Sequence, residues 1–333
     1  MQIQNILTTH RRYDHVYVSP HFDDVAASCS GRILKQIQGG ESVLVVTVFT
    51  ARATQQPAIT NKALSAILDY DRRRSEDKRA MQRLGVDFVW LEVPEVLFRF
   101  HPPWMRYWPS YRATPNNRRL CNQLTRRLEE ICLQTACTTL VLPLGVGQHM
   151  DHQILYQAGL TLLHAQGRKA RIVFFEELPY AIFSFLLVYR FKKTGLWQNM
   201  CQPLHRQPMD IRRLSSKEQI HLLAGMSSLG LHRRSLKPAV FLLVASLDIL
   251  TRFLMKSSTD GLRNQHPMAD IQDITPFIDQ KLNVISAYSS QLSGTMLSDR
   301  RIKAALAVYA QTLGMPTGCF GERCWRVTLG LNC

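Results

Sequence analysis

Residues 14–24 have the sequence DHVYVSPHFDD, and this stretch decides the fold. Positions 14–19 are apolar and β-branched, which is typical of a short buried strand. Positions 23–38 follow helical spacing, and a Gly-Gly pair ends that helix. His21, Asp23 and Asp24 are therefore expected on a strand-to-helix turn. In an open α/β sheet such turns lie at the carboxyl ends of the strands, where ligands and catalytic groups collect.

A second polar cluster, His149-Met150-Asp151-His152, has the same setting. Residues 138–143 predict another buried strand, and a glycine-rich loop leads from it into a helix that runs to about residue 165. Two turns from separate strands of one sheet can face each other. A catalytic zinc takes three protein ligands and keeps a fourth position for water. His21, Asp24 and His152 fit that count and leave two acid/base candidates, Asp23 and His149.

Each cluster also has a simpler interpretation. An Asp-Asp pair at a helix start is typical of an N-cap with a favourable charge, and a loop histidine often serves only as a hydrogen-bonding residue. For one cluster alone the two interpretations are about equally good, because short motifs match by accident. The two clusters together favour a functional site.

The whole chain predicts a Rossmann-like α/β fold, a mostly parallel sheet flanked by helices. Strands are expected near 14–19, 42–49, 86–92, 138–142 and 171–176, and helices near 24–38, 71–84, 116–135 and 150–165. The remainder is expected to be a mainly helical insertion and carboxyl-terminal cap. This gives one domain from residues 1–190 and 270–333, with 191–269 as the insertion. No Gly-x-Gly-x-x-Gly follows the first strand, which argues against dinucleotide binding.

Six ordered blocks of this sequence resemble the PIG-L/LmbE family of zinc-dependent N-deacetylases. The family signature is Pro-His-x-Asp-Asp after the first strand and His-x-Asp-His later, and both are present. The other similar blocks lie at 73–80 with 84–86, at 90–95, at 176–180, and at 281–291 with 322–325. Together they cover most of residues 14–190 and 277–327.

The resemblance implies a role for each matching position. The metal-ligand positions are occupied by His21, Asp24 and His152. The catalytic positions are Asp23 as general base and His149 as oxyanion stabiliser, with Asp151 beside it to keep that imidazole charged. Arg73 and Glu95 are implied as contacts to the sugar substrate. Zinc is the implied metal, and iron(II) suits the same two histidines and one aspartate.

Two positions depart from the commonest family form, Pro-His-Pro-Asp-Asp-Glu. Phe22 replaces the second proline and Val25 replaces the glutamate. Neither position is a metal ligand in the family, so the metal site is expected to persist. Residues beside the site shape the pocket, so the substrate is left open.

The expected function is metal-dependent removal of an N-acetyl or other N-acyl group from an amino sugar or its conjugate. The alternative is a catalytically silent protein that binds glycans, lipids or nucleic acid through the same cleft. Such a protein would hold no metal, and its binding would be indifferent to Asp23→Ala. The complete set of ligands and base favours the enzyme.

The formal net charge of +16 is high for 333 residues. The arginines are scattered, and no nucleic-acid-binding motif accompanies them, so specific nucleic-acid binding is not expected. An anionic substrate, such as a nucleotide- or lipid-linked amino sugar, or an anionic membrane face would suit this charge, and so would a solvated surface without a partner.

The location of the protein is predicted from its cysteines and its apolar runs. Eight cysteines without a Cys-x-x-Cys pair, and a start that lacks the apolar core of a signal peptide, predict a cytoplasmic protein with reduced thiols. The apolar run 236–256 is interrupted by polar residues and falls short of a membrane span. It is expected to be a buried or partner-covered helix, with peripheral membrane contact as the alternative.

Overall fold

The computed structural model describes residues 11–51, 69–99, 114–165, 170–193, 265–292 and 299–329. The insertion expected at 191–269, and with it the apolar run 236–256, lies almost wholly outside these ranges. Within the described ranges, no helix is both long and apolar enough to cross a membrane.

A seven-stranded sheet in the order β3-β2-β1-β4-β5-β7-β6 forms the centre of the molecule. Its strands are β1 (His15–Ser19), β2 (Val43–Thr47), β3 (Asp87–Trp90), β4 (Thr139–Pro143), β5 (Arg171–Phe175), β6 (Gln265–Asp273) and β7 (Gly321–Leu329). The first five strands run parallel, whereas β7 is antiparallel to β5 and to β6. Every residue of β2 and β4 is buried, as expected for strands covered by helices on both faces.

The helices connect the parallel strands and continue into the carboxyl-terminal part. They are α1 (Asp24–Gln38), α2 (Tyr70–Leu84), α3 (Val96–Arg99), α4 (Pro115–Thr135), α5 (Met150–His164), α6 (Ser184–Lys193), α7 (Ile278–Ile285), α8 (Ser289–Leu292) and α9 (Asp299–Thr312). Local signals set their ends: Asp69 caps α2 by accepting from the Arg72 N–H, and Gly85 ends it with a left-handed φ of 75°. The predicted α/β fold is confirmed.

The carboxyl-terminal part differs from the mainly helical cap that the sequence predicted, because β6 and β7 extend the sheet. Charged residues in β7 obscured the strand pattern, since they are buried against partners far away in sequence. Glu322 accepts from Lys281 Nζ at 2.7 Å and from the N–H groups of Gly31 and Arg32 in α1. Lys281 in turn donates to the Ala27 carbonyl at 2.6 Å. This buried pair therefore fastens the carboxyl-terminal part onto α1, the helix that begins at Asp24.

The strand order decides where a ligand site can lie. The chain runs outward from β1 to β2 and β3, then returns to the opposite side of β1 to form β4. At such a reversal the two adjacent βα turns diverge and leave a crevice at the carboxyl ends of the strands. The turns that follow β1 and β4 carry the two polar clusters.

Candidate metal centre

The turn after β1 is held by its own side chains. Ser19 Oγ donates to the His21 carbonyl and accepts from the Val25 N–H at 3.2 Å, so it takes the place of a helix-capping side chain. Asp24 Oδ2 accepts from the His21 N–H at 2.8 Å. These contacts fix the backbone of the turn, and they bring the Asp24 carboxylate beside the His21 ring.

Three side-chain atoms converge across the two turns. His21 Nδ1 lies 3.2 Å from Asp24 Oδ2, and His152 Nε2 lies 3.3 Å from both of these atoms. Zinc bonds of about 2.0–2.1 Å in a tetrahedral arrangement separate neighbouring ligand atoms by about 3.3–3.4 Å. The nearly equilateral triangle therefore fits a four-coordinate ion with one position left open.

The three imidazoles His21, His149 and His152 form another potential ligand group, whose atoms all lie within 4.8 Å of one another. Asp24 is the better third ligand, because it closes the tight triangle and because His149 is too far away to complete one of that size. The geometry thus favours the two histidines and one aspartate expected from the sequence, with His149 next to them.

The electrostatic field at the triangle favours positive charge. Burial opposes protonation of His21, but hydrogen bonds to Asp151 and Asp24 outweigh it and raise the pKa of His21 well above its usual value. The pKa of His152 rises to about 9 against the same effect of burial, through Asp24 and Glu177. The two rings hold the pKa of Asp24 well below its usual range, although burial acts to raise it. A cation is therefore stabilised here, whether it is a proton or a metal ion.

The rings of His21 and His152 are each held on the outer nitrogen by a buried carboxylate. His21 Nε2 lies 3.1 Å from Asp151 Oδ2, and His152 Nδ1 lies 3.2 Å from Glu177 Oε1. Glu177 also accepts from the N–H groups of Gly145 and Val146, at 2.5 and 3.0 Å. Carboxylates in this position orient metal-binding imidazoles and fix their tautomer. Sequence reasoning missed Glu177 as a site residue, although it lies in the block at 176–180 that resembles the family.

Asp151 has partners other than the one expected from the sequence. Its hydrogen bonds go to His21, to the Val96 N–H at 3.1 Å and to the Arg99 guanidinium at 2.5 Å, and not to His149. Burial acts to raise the pKa of Asp151, but nearby positive charge and hydrogen bonding keep it low. Arg99 and the hydrogen bond to His21 contribute more to this effect than His149 does. The expected Asp151–His149 pair is thus replaced by an Asp151–His21 pair.

Asp23 and His149 flank the triangle. Asp23 is the N-cap residue of α1, but its carboxylate makes no capping hydrogen bond. Burial and the neighbouring Asp24 raise its pKa, while Arg73 and His21 oppose the rise. The His149 ring centroid lies 4.8 Å from that of His21, and no described residue forms a hydrogen bond with its buried Nδ1.

The surroundings of His149 oppose the protonated state that the sequence led us to expect. Burial, followed by the charge on His21, lowers the pKa of His149 to about 3. The ring is therefore neutral near pH 7 and offers a single N–H group as a hydrogen-bond donor.

The two residues expected to bind the sugar form a pair with each other. Arg73 donates to Glu95 at 2.7 Å, and both residues are nearly fully buried. The Arg73 guanidinium lies over the rings of Phe22 and Tyr70, at 5.0 and 5.2 Å. Phe22, where the common family form has proline, is thus a packing surface for Arg73. Their contact with a substrate stays a prediction.

Residues 16–163 match the PIG-L family, described as GlcNAc-PI de-N-acetylase. The 2'-N-acetylparomamine deacetylase of Niallia circulans is 29% identical over 196 residues, which are 50% of this chain and 66% of that protein. The 2'-N-acetylparomamine deacetylase of Streptomyces fradiae is 28% identical over 172 residues, 51% of this chain and 59% of that protein. The chain thus spans less than two thirds of the length of these two relatives.

Solved structures of deacetylases share the fold. A deacetylase in the biosynthesis pathway of teicoplanin superposes with a TM-score of 0.62 at 19% identity, covering 96% of this chain and 99% of that chain. The zinc-inhibited form of teicoplanin deacetylase gives a TM-score of 0.61 at the same identity and coverage. At such identities the likeness shows the fold alone. The resemblance to the PIG-L family expected from the sequence is confirmed by the match over residues 16–163.

Proposed function

We propose that this protein is a metal-dependent hydrolase that removes the N-acetyl, or another N-acyl, group from an amino sugar or its conjugate. The triangle of His21 Nδ1, Asp24 Oδ2 and His152 Nε2 carries the proposal, because its 3.2–3.3 Å sides fit a metal with an open position. The deacetylase names of both curated relatives support it.

The metal would be held by His21, Asp24 and His152. Zinc suits this donor set, and iron(II) suits it as well. Once bound, such an ion supplies Lewis acidity: it polarises a carbonyl oxygen and lowers the pKa of water from about 15.7 to about 7.

Asp23 is the proposed general base. It follows the same turn as the ligands, and its carboxylate is not committed to capping α1. In this position it takes a proton from the attacking water and returns it to the amine as the C–N bond breaks. Arg73 lies close enough to act on the Asp23 carboxylate and favours its ionised form.

His149 is the proposed oxyanion stabiliser. A neutral imidazole donates its N–H to the developing negative charge and need not exchange a proton, a contribution of about 3–4 kcal/mol per donor in comparable sites. Its ring lies at right angles to that of His21. Arg73 and Glu95 stay predicted contacts to the sugar, on the side of the site where Asp23 lies.

The proposed substrate class is an N-acetylated amino sugar, as the names of the two curated relatives say of those proteins. Neither name contains a nucleotide or a lipid. The anionic linkage suggested by the net charge is therefore not part of the proposal.

The proposal is tested by measuring acetate released from a panel of N-acetylated amino sugars, with metal-loaded protein and again after chelation. We expect metal-dependent release that Asp23→Asn abolishes, while the variant still binds metal. Asp69→Asn is the matched control, because Asp69 is also a helix N-cap residue, but its exposed carboxylate caps α2 by accepting from the Arg72 N–H. Metal-loaded, folded protein that releases no acyl acid from any such sugar would overturn the proposal. Metal-free binding of these sugars, equal in wild type and Asp23→Asn, would establish the silent binding protein instead.

A further inference from the structure

Arg99 is the last residue of α3 and joins three parts of the molecule. Its guanidinium donates to Asp151 Oδ1 at 2.5 Å and to the Pro94 carbonyl at 2.7 Å. The same group lies 5.0 Å above the ring of Phe49, whose centroid is 5.9 Å from that of His21. The side chain is 15% exposed, so most of it is committed to these contacts.

Asp151 is the fully buried acceptor at the centre of this arrangement. Its Oδ1 meets Arg99, and its Oδ2 meets both His21 Nε2 and the Val96 N–H. An ionised carboxylate with no exposure is costly unless opposite charge and hydrogen bonds compensate it. Arg99 supplies the charge in a rigid, planar fork that a lysine cannot reproduce.

The orientation of Asp151 determines what His21 can offer. A carboxylate on Nε2 keeps a proton there, so the proton that a metal would displace is the one on Nδ1, the nitrogen directed at Asp24 and His152. A carboxylate free to rotate, or one that takes a proton, would hold neither the tautomer nor the ring angle.

We propose that Arg99 is a positioning residue of the metal centre, which acts through Asp151 to hold His21 in its ligand geometry. The inference rests on the metal site of the proposed function. It differs from a substrate-binding role for Arg99, which would change KM and leave metal affinity unaltered.

The test is a titration of Zn²⁺ affinity by competition with a chromophoric chelator, in the absence of any sugar. Arg99→Gln is expected to weaken binding about 10–100-fold, the usual effect of losing an outer partner of a ligand. Arg74→Gln is the matched control: Arg74 lies 5.3 Å above the Trp90 ring and donates to Glu92 at 2.8 Å, yet that carboxylate touches no ligand histidine. Arg74→Gln is expected to bind zinc as the wild type does.

A double-mutant cycle separates positioning from a general effect on the fold. If Arg99 acts through Asp151, adding Arg99→Gln to Asp151→Asn causes no further loss of zinc affinity, whereas Arg74→Gln stays without effect in either background. Circular dichroism and thermal unfolding of the metal-free proteins establish that each variant is folded.

Wild-type zinc affinity in folded Arg99→Gln overturns the inference, and so do additive losses in the cycle. Should Arg99→Gln fail to fold, Arg99→Lys keeps the charge without the fork and is expected to bind zinc several-fold more weakly; wild-type affinity there is equally decisive. The zinc titration contains no substrate. The positioning role of Arg99 can therefore be refuted while acetate release is observed, and it can be supported while no acetate is released.

Discussion

Glutamine in place of Glu177 should weaken the metal centre from its outer side while leaving every ligand in the chain. Glu177 is fully buried and accepts from Gly145, Val146 and His152 Nδ1. The glutamine amide keeps one acceptor oxygen and turns an NH₂ group toward at least one of these three donors. The change removes the negative charge that faces the outer nitrogen of His152, and it disturbs the loop that leads to His149.

The expected cost has two separate parts. Hydrogen bonds to a charged group contribute about 1.5–3 kcal/mol each. Glu177→Gln loses at least one of them and turns the amide NH₂ toward the N–H group that was its donor, so the free energy of unfolding should fall by about 2–4 kcal/mol. Loss of an outer carboxylate commonly lowers metal affinity about 10–100-fold, or about 1.4–2.8 kcal/mol of binding free energy.

Glu176→Gln is the matched control because the neighbouring carboxylate is equally buried but has no contact with the site. Glu176 accepts from Arg323, Trp325 and Tyr309, all in the carboxyl-terminal part. Breaking this buried pair should cost about 3–5 kcal/mol of stability. Urea unfolding of the metal-free proteins measures the free energy of unfolding, and chelator competition on the folded variants measures the metal affinity.

Both variants should be destabilised, and only Glu177→Gln should lose metal affinity. A positioning role for Glu177 is refuted if Glu177→Gln binds zinc as tightly as Glu176→Gln does, because the carboxylate would then serve the loop alone. Equal losses in the two variants would also refute it, since they would show that affinity follows global stability.

Two further changes test other parts of the structure. Burial raises the pKa of Asp77 from 3.8 to about 7, so the folded protein favours the protonated carboxyl group and ionisation of Asp77 opposes folding. The stability that the protonated form contributes is complete below about pH 4 and is lost as the pH rises to about 7, by at most roughly 4 kcal/mol. Asp77→Asn should therefore show a smaller fall in unfolding free energy between pH 5 and pH 8 than the wild type, and parallel pH profiles would contradict this. Gly147 has a φ of 82°, and a Cβ there would lie 2.6 Å from the Tyr180 ring, whereas a Cβ at Gly85, with a φ of 75°, meets nothing within 4 Å. Gly85→Ala should thus cost only the backbone strain, about 1–2 kcal/mol, and Gly147→Ala more; equal melting temperatures would show that the Tyr180 ring moves aside freely.

The parallel part of the fold could be predicted because its signals are local. Strand β1 and helix α1 follow from an apolar, β-branched run, helical spacing and a glycine stop within 25 residues. The predicted ends of the first nine long elements differ from the observed ones by only a few residues. The carboxyl-terminal strands could not be predicted in this way. From the sequence alone, Glu322 and Arg323 would be expected to be exposed. In the fold they are buried because Lys281 and Glu176, far away in sequence, pair with them.

In the site, too, some features follow from the local sequence and others only from the tertiary structure. The sequence by itself determined which side chains the two turns present, since His21 and Asp24 lie three residues apart on one turn, as His149 and His152 do on the other. Only the tertiary structure decided which carboxylate faces which ring. Asp151 turns to His21 and Arg99, although His149 is only two residues away in sequence. A buried carboxylate bonds to the donors that the packed elements bring to it, and proximity along the chain does not determine which donors those are.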